Sequence, residues 1–204
     1  MSRVKIGNVY PSDEYLLERC APAGYGLGGP AAQTSNLDTA LKCGWYAFGA
    51  DCIGRPLDYG VALVLSRYNT DFVQIAFDTV LDAWKQNGTI ARRVRTNGVW
   101  REWEFLNPPM ALGTEYQTTE RWQGKPVYTK LVDCGNIQTK VFAHGCAAIA
   151  VIRCCGTTSM GTTIPYRWND NYLSVSADRT NIHICTNTDF SSQTCLVQIW
   201  YTKD

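Results

Sequence analysis

From Leu37 onward, apolar and polar residues alternate in short runs separated by clusters of Gly, Asn, Asp, Ser and Thr, the pattern of strands joined by turns. Gly60 to Arg67 puts Val61, Leu63 and Leu65 on one face and Ala62, Val64 and Ser66 on the other. Phe72 to Phe77 follows the turn-like Tyr68-Asn69-Thr70-Asp71, so the two runs predict a hairpin with both faces partly apolar. A second hairpin is predicted at Asn97-Gly98, which joins Thr89–Thr96 to Val99–Phe105 and supplies the positive φ angles of a tight two-residue turn. Its register sets Thr96 against Val99, Arg95 against Trp100, Arg93 against Glu102 and Arg92 against Trp103. The three arginines then have cross-strand partners, one ion pair and two arginine–tryptophan stacks. The competing reading of the same arginines is an anionic receptor patch.

Asn107-Pro108-Pro109 stops this run, because proline has no N–H for the ladder, and a domain boundary is expected there. Beyond it, Lys125 to Cys134, Ala147 to Cys154, Tyr172 to Ala177, Asn181 to Thr186 and Thr194 to Tyr201 read as strands at a spacing that favours a β-sandwich. Asp178-Arg179-Thr180-Asn181 makes a tight link between two of them. The last strand is so apolar that it is expected inside a sheet. Ahead of Leu37, Ser12 or Asp13 caps a predicted helix of about two turns through Arg19. Ala21-Pro22-Ala23-Gly24-Tyr25-Gly26-Leu27-Gly28-Gly29-Pro30 then reads as a connector, since Gly and Pro discourage regular elements. The expected layout is all-β after this connector: residues 1–36 helix and connector, 37–109 a small β domain, and 110–204 a terminal β-sandwich.

Composition narrows the function classes. The 204 residues are 45% hydrophobic, enough for a real core, and 19 basic against 18 acidic residues leave no electrostatic footprint for nucleic acid or anionic lipid. No apolar stretch follows Ser2-Arg3-Val4-Lys5 and none is long enough to span a bilayer, so folding in a cytoplasm without membrane insertion is expected. The nine cysteines are odd in number, lack a Cys-x-x-Cys pair, and include the adjacent Cys154-Cys155, which point to opposite strand faces. Free, mostly buried thiols are expected. His183 and Cys185 share one strand face, but two ligands do not close a metal site, and neither a metal nor a cofactor is expected. Gly24, Gly26 and Gly29 neither follow a strand nor open a helix, so a phosphate loop is not read there. Carboxylate pairs Glu102/Glu104 and Asp78/Asp82, and His144-Gly145-Cys146, lack a complete catalytic constellation, so no catalytic residue is assigned.

Leu37-Asp38, Cys43-Gly44-Trp45-Tyr46, Gly60-Val61-Ala62-Leu63-Val64, Phe72-Val73-Gln74-Ile75-Ala76-Phe77, Ile90-Ala91-Arg92-Arg93 and Gly98-Val99-Trp100-Arg101-Glu102-Trp103, in that order, resemble the pyocin-type knob domain of phage tail fibres. The upstream Ala21 to Gly28 is similar to the connector before such knobs. Glu115 to Tyr128 is similar to the join to the terminal domain in fibres of phages and prophages of Gram-positive gut bacteria. The resemblance covers roughly residues 18 to 135. It implies a homotrimeric fibre end in the virion, attached to upstream tail-fibre or baseplate components, which grips a bacterial surface polysaccharide or protein. A trimer also gives the connector a reason, since three chains meeting at an axis leave room only for small side chains. The terminal region from about Gly135 matches no motif and is where receptor reading is expected. There Tyr166, Arg167, Trp168, Asn169, Asp170, Asn171 and Tyr172 form a polar, loop-like stretch with aromatic faces for sugar C–H groups and amides or carboxylate for hydroxyls. The plainer account is that Trp168 and Tyr172 cover an edge or interface while Asn169-Asp170-Asn171 makes a turn. A structural cap or spacer, and an envelope glycan hydrolase, are the alternatives in function.

Overall fold

The computed structural model describes residues 31–79 and 88–203. Apart from a 3-10 turn at Leu37–Thr39, every regular element there is a strand, and the protein is all-β as expected. The expected helix through Arg19, the connector from Ala21 to Pro30 and Asp82 lie outside the described residues. The chain divides into two compact units between Trp103 and Glu104, just ahead of the Asn107-Pro108-Pro109 run.

The first unit contains β1 (Ala32–Gln33), β2 (Gly44–Phe48), β3 (Gly60–Tyr68), β4 (Asp71–Asp78), β5 (Ile90–Thr96) and β6 (Val99–Trp100). They lie in the order β1-β2-β3-β4-β5, with β6 on β5; β1 is parallel to β2 and the remaining pairs are antiparallel. Alternation decides which face is buried. Tyr46 and Phe48, Ala62 and Val64, Phe72 and Ala76, and Ala91 face the core, where Leu37, Ala40 and Cys52 from the covering loops pack on them. Gly60 has no alternative: a Cβ there would sit 2.3 Å from the Phe77 carbonyl oxygen and 2.7 Å from the Phe48 ring. The opposite face carries Trp45, Val61, Leu63, Val73, Ile75 and Phe77, all half-exposed. Both faces of the β3–β4 hairpin are thus apolar as expected, but only the Ala62/Val64 face is core.

The Asn97-Gly98 turn forms with both φ angles positive, 52° and 81°, and Arg95 faces Trp100 in the expected register. The pairing expected beyond it does not form. β6 stops at Trp100, and Arg93 meets Asp38 instead of Glu102, its Nη1 2.7 Å from Asp38 Oδ1. Its guanidinium lies 4.3 Å from the Trp100 ring centre and 4.5 Å from that of Trp103, so Trp103 stacks on Arg93 rather than Arg92. The reason is burial: Arg93 is only 5% exposed, and leaving the ladder lets the chain bring both indoles over it. Gln74, directly opposite on β4, accepts from Arg93 Nε at 2.9 Å and donates to the Leu37 carbonyl at 2.7 Å. The indole N–H groups of Trp100 and Trp103 donate to the carbonyls of Asp38 and Gly54 at 3.0 and 2.8 Å. Three covering segments are therefore tied to one buried cation, whose pKa burial lowers while Asp38 opposes that shift.

The second unit contains β7 (Glu104–Phe105), β8 (Glu115–Trp122), β9 (Lys125–Asn136), β10 (Lys140–Ala143), β11 (Ala150–Thr158), β12 (Thr163–Ile164), β13 (Tyr166–Trp168), β14 (Asn171–Ala177), β15 (Asn181–Thr186) and β16 (Thr194–Thr202). One sheet runs β7-β8-β9-β16-β11-β12; the other runs β10-β15-β14-β13. They sandwich a core in which Val132, Val197, Ile199 and Tyr201 of the first meet Leu173, Ile182 and Ile184 of the second. β16 lies between β9 and β11, which explains an apolar strand so near the end of the sequence. The sequence reading overlooked β8 and β10, because β8 is mostly polar with only Thr118 buried and β10 has just four residues. The strand expected over Ala147 to Cys154 is shifted: β11 starts at Ala150, and its ladder with β16 continues through Thr158 opposite Cys195.

Candidate functional site

The predicted stretch Tyr166–Tyr172 is a hairpin rather than a loop. Trp168 pairs with Asn171, leaving Asn169 and Asp170 as the turn, with Asn169 at φ 53°. The side-chain amide of Asn187 clamps it, accepting from the Tyr172 N–H at 2.8 Å and donating to the Asp170 carbonyl at 2.6 Å. Alternation then divides the seven residues. Tyr166 packs edge-on against Phe190, with ring centres 6.4 Å apart, next to the core. Arg167 and Tyr172 face each other across the hairpin on the opposite, outer face. Trp168, 65% exposed, and Asn171 occupy the hairpin end, so Trp168 and Tyr172 do not share one surface.

The outer face of the small sheet adds residues that the sequence reading did not include. Along β14 from Tyr172 come Ser174 and Ser176, opposite Cys185 and His183 of β15, and Val141 of β10 stands beyond His183. The signal for them was the two-residue period of these strands, already seen in His183 and Cys185 sharing a face. Along this face the Tyr172 hydroxyl is 3.5 Å from Cys185 Sγ, Ser174 and His183 are half-exposed, and Val141 is 61% exposed. At its far end Asp178 closes the β14–β15 turn. One carboxylate oxygen contacts His183 Nε2 at 2.7 Å, and the other accepts from the backbone N–H groups of Thr180 and Asn181 at 2.7 and 2.8 Å. The His183 contact first, then these two N–H groups, hold the Asp178 carboxyl well below the usual carboxylate range. Arg167 makes no hydrogen bond or ion pair with any described residue, whereas Asp178, the acid of this face, is already occupied.

The other chemically suggestive residues are built into the scaffold. His144 is buried, its Nδ1 accepting from the Cys146 N–H at 3.1 Å and its Nε2 3.2 Å from the Asp178 carbonyl, so both ring nitrogens are engaged with backbone. Burial pushes the Cys146 thiol up. Glu115 takes the Tyr201 hydroxyl on one oxygen and Lys203 on the other, and Lys203 lies 4.2 Å over the Tyr128 ring. Among the described residues, no three His, Cys, Asp or Glu side chains gather as a metal-ligand set.

Fold and surface together define an all-β protein with an exposed sheet face that presents the Tyr172 ring, the Arg167 guanidinium and the Ser174 and Ser176 hydroxyls. No protein-family model and no curated protein matches the sequence. Solved structures that match are pyocin fibres: an N-truncated R2-type pyocin tail fibre, at 10% identity and TM-score 0.30 over 82% of this chain and 94% of that one. A P. aeruginosa R1 pyocin fibre matches at 10% identity and TM-score 0.30, over 83% of this chain and 65% of that one. For a P. aeruginosa R2 pyocin fibre the identity is 10% and the TM-score 0.31, over 82% of this chain and 65% of that one. The chain thus spans 65% of the length of the two longer fibres. At such TM-scores the superposition is too loose to carry roles from those fibres to residues of this chain.

Proposed function

We propose that this protein is the distal, receptor-binding part of a phage tail fibre and that the outer face of β10-β15-β14-β13 contacts a bacterial surface saccharide. The residues of the first unit that resemble a pyocin-type knob support the tail-fibre reading. One observation carries the binding reading: Arg167, unpaired, stands directly across from the exposed Tyr172 on a face whose next rows are Ser174 and Ser176. A tyrosine ring offers a face for sugar C–H groups, the serine hydroxyls exchange hydrogen bonds with sugar hydroxyls, and a free guanidinium binds an anionic substituent. On this reading the protein is a homotrimer carried on upstream tail-fibre or baseplate components in the virion, and it performs no catalysis.

The test is whether the purified chain labels bacterial cells and blocks adsorption of its parent phage. Tyr172→Ala together with Arg167→Ala is expected to weaken labelling about 10-fold or more, since each contact contributes on the order of 1 kcal/mol. The melting temperature should stay close to that of the parent, because both side chains are on the solvent side. Labelling unchanged in the double variant overturns this surface as the site. No labelling by the parent chain favours a structural cap, and release of reducing sugars from envelope material favours a hydrolase.

A further inference from the structure

Among the described cysteines, Cys134 and Cys195 share one core inside the sandwich. Cys134 of β9 is 0% exposed and Cys195 of the neighbouring β16 is 1% exposed, and both belong to the same hydrophobic core. Between them the ladder has a bulge: Cys195 is opposite Gly135, whereas Leu196 is opposite Asp133, so Cys134 and Gly135 together face Cys195. Gly135 takes φ 63°, the left-handed conformation such a bulge uses, and the Asp133 carboxylate accepts its N–H at 2.7 Å. Lys140 ties the same bend by donating to the Asn136 carbonyl at 2.6 Å and to that of Cys134. The bulge thereby turns Cys134 to the side on which Cys195 already points, and both side chains lie in one core on neighbouring strands.

We infer that Cys134 and Cys195 are an oxidative cross-linking site, which closes into a disulfide when the folded protein meets a peroxide. Directly opposite residues on antiparallel strands have Cα atoms about 4.5–5.5 Å apart, within the span of a disulfide, and the bulge places Cys134 next to the residue opposite Cys195. Both thiols are buried, so whichever ionises first on local opening of the bulged ladder is the nucleophile. Its thiolate attacks one peroxide oxygen; the O–O bond breaks, hydroxide leaves, and that cysteine becomes a sulfenic acid. The sulfur of the other cysteine then attacks the sulfenic sulfur, the S–O bond breaks, and the leaving hydroxide takes the second thiol's proton as water. The two thiols lose two electrons and two protons, and one peroxide becomes two waters. The link joins the chain on either side of β10, β11, β12, β13, β14 and β15, and so restrains the unfolded chain across the whole second sheet. For a fibre tip the timing follows from the proposed function, with reduced synthesis in a cytoplasm and oxidation after release; the cross-link itself does not depend on that reading.

The experiment is to expose the purified full chain to hydrogen peroxide, block remaining thiols with an alkylating agent in denaturant, and map the peptides by mass spectrometry. A Cys134–Cys195 peptide pair, lighter by two hydrogens than the sum of its parts and separated again by dithiothreitol, is the expected result. The oxidised protein should melt roughly 5 °C or more above the reduced one. Cys195→Ser should abolish that gain while Cys185→Ser keeps it. Cys134 and Cys195 both recovered alkylated, or each joined to a different cysteine, would overturn the inference, and this reading of the parent chain holds even if Cys195→Ser fails to fold.

Discussion

At the scale of the residue, Arg93 shows how one side chain can organise a small unit. Its planar guanidinium is stacked between Trp100 and Trp103 while its edge reaches Asp38 and Gln74, a set of contacts that a lysine ammonium cannot reproduce. Arg93→Lys is therefore expected to cost about 2 kcal/mol or more, and Arg93→Ala about 3 kcal/mol, with loss of two cation–π contacts, a buried hydrogen bond and packing. Glu102→Arg, at the position the simple hairpin register would pair with Arg93, should stay within about 0.5 kcal/mol of the parent. Urea unfolding followed by tryptophan fluorescence measures all three, and an Arg93→Lys protein as stable as the parent would remove the stacking account. In the sequence, an arginine within a strand reads as solvated; its burial depends on Asp38, which is 55 positions away by residue number.

At the scale of the element, β16 joins β9 to β11 and supplies Val197, Ile199 and Tyr201, each 0% exposed, to the sandwich. Removing Thr194 onward exposes the ladder edges of both neighbours and takes three large side chains out of the core, at roughly 1.5–3 kcal/mol each. That loss, about 4.5–9 kcal/mol before the exposed ladder edges are counted, is comparable to the about 5–15 kcal/mol by which a domain is stable. The truncated chain is expected to lose the cooperative unfolding transition of the second unit, observed by calorimetry or amide hydrogen exchange; retention of protected amides in β9 and β11 would show that β16 is dispensable. This element was legible in the sequence because alternating Cys195, Val197, Ile199 and Tyr201 over nine residues has no polar explanation. β8 was not, because its residues pair through backbone while most of its side chains stay in solvent, and backbone pairing has no residue signature.

At the scale of the whole molecule, the proposed fibre role makes a claim about stoichiometry: sedimentation equilibrium of the purified chain is expected to give three chains per particle, and a monomer at micromolar concentration would count against a trimeric fibre end. Local pattern alone determined the all-β class, the Asn97-Gly98 turn, the β15 boundaries and the apolar last strand, because turn chemistry and two-residue periodicity act over a few neighbouring positions. The candidate surface was only half legible. The sequence pointed to Tyr166–Tyr172, yet whether each side chain meets solvent depends on which face of the small sheet lies against Val197, Ile199 and Tyr201, and that packing sends Tyr166 inward while Arg167 and Tyr172 stay outside. The same holds for Ser174, Ser176 and His183, for Arg93 between its tryptophans, and for Cys134 beside Cys195. Each of these depends on residues far apart in sequence, brought together by strand order and by a bulge of one residue. Periodicity states which residues share a face, but only tertiary packing decides which face is buried.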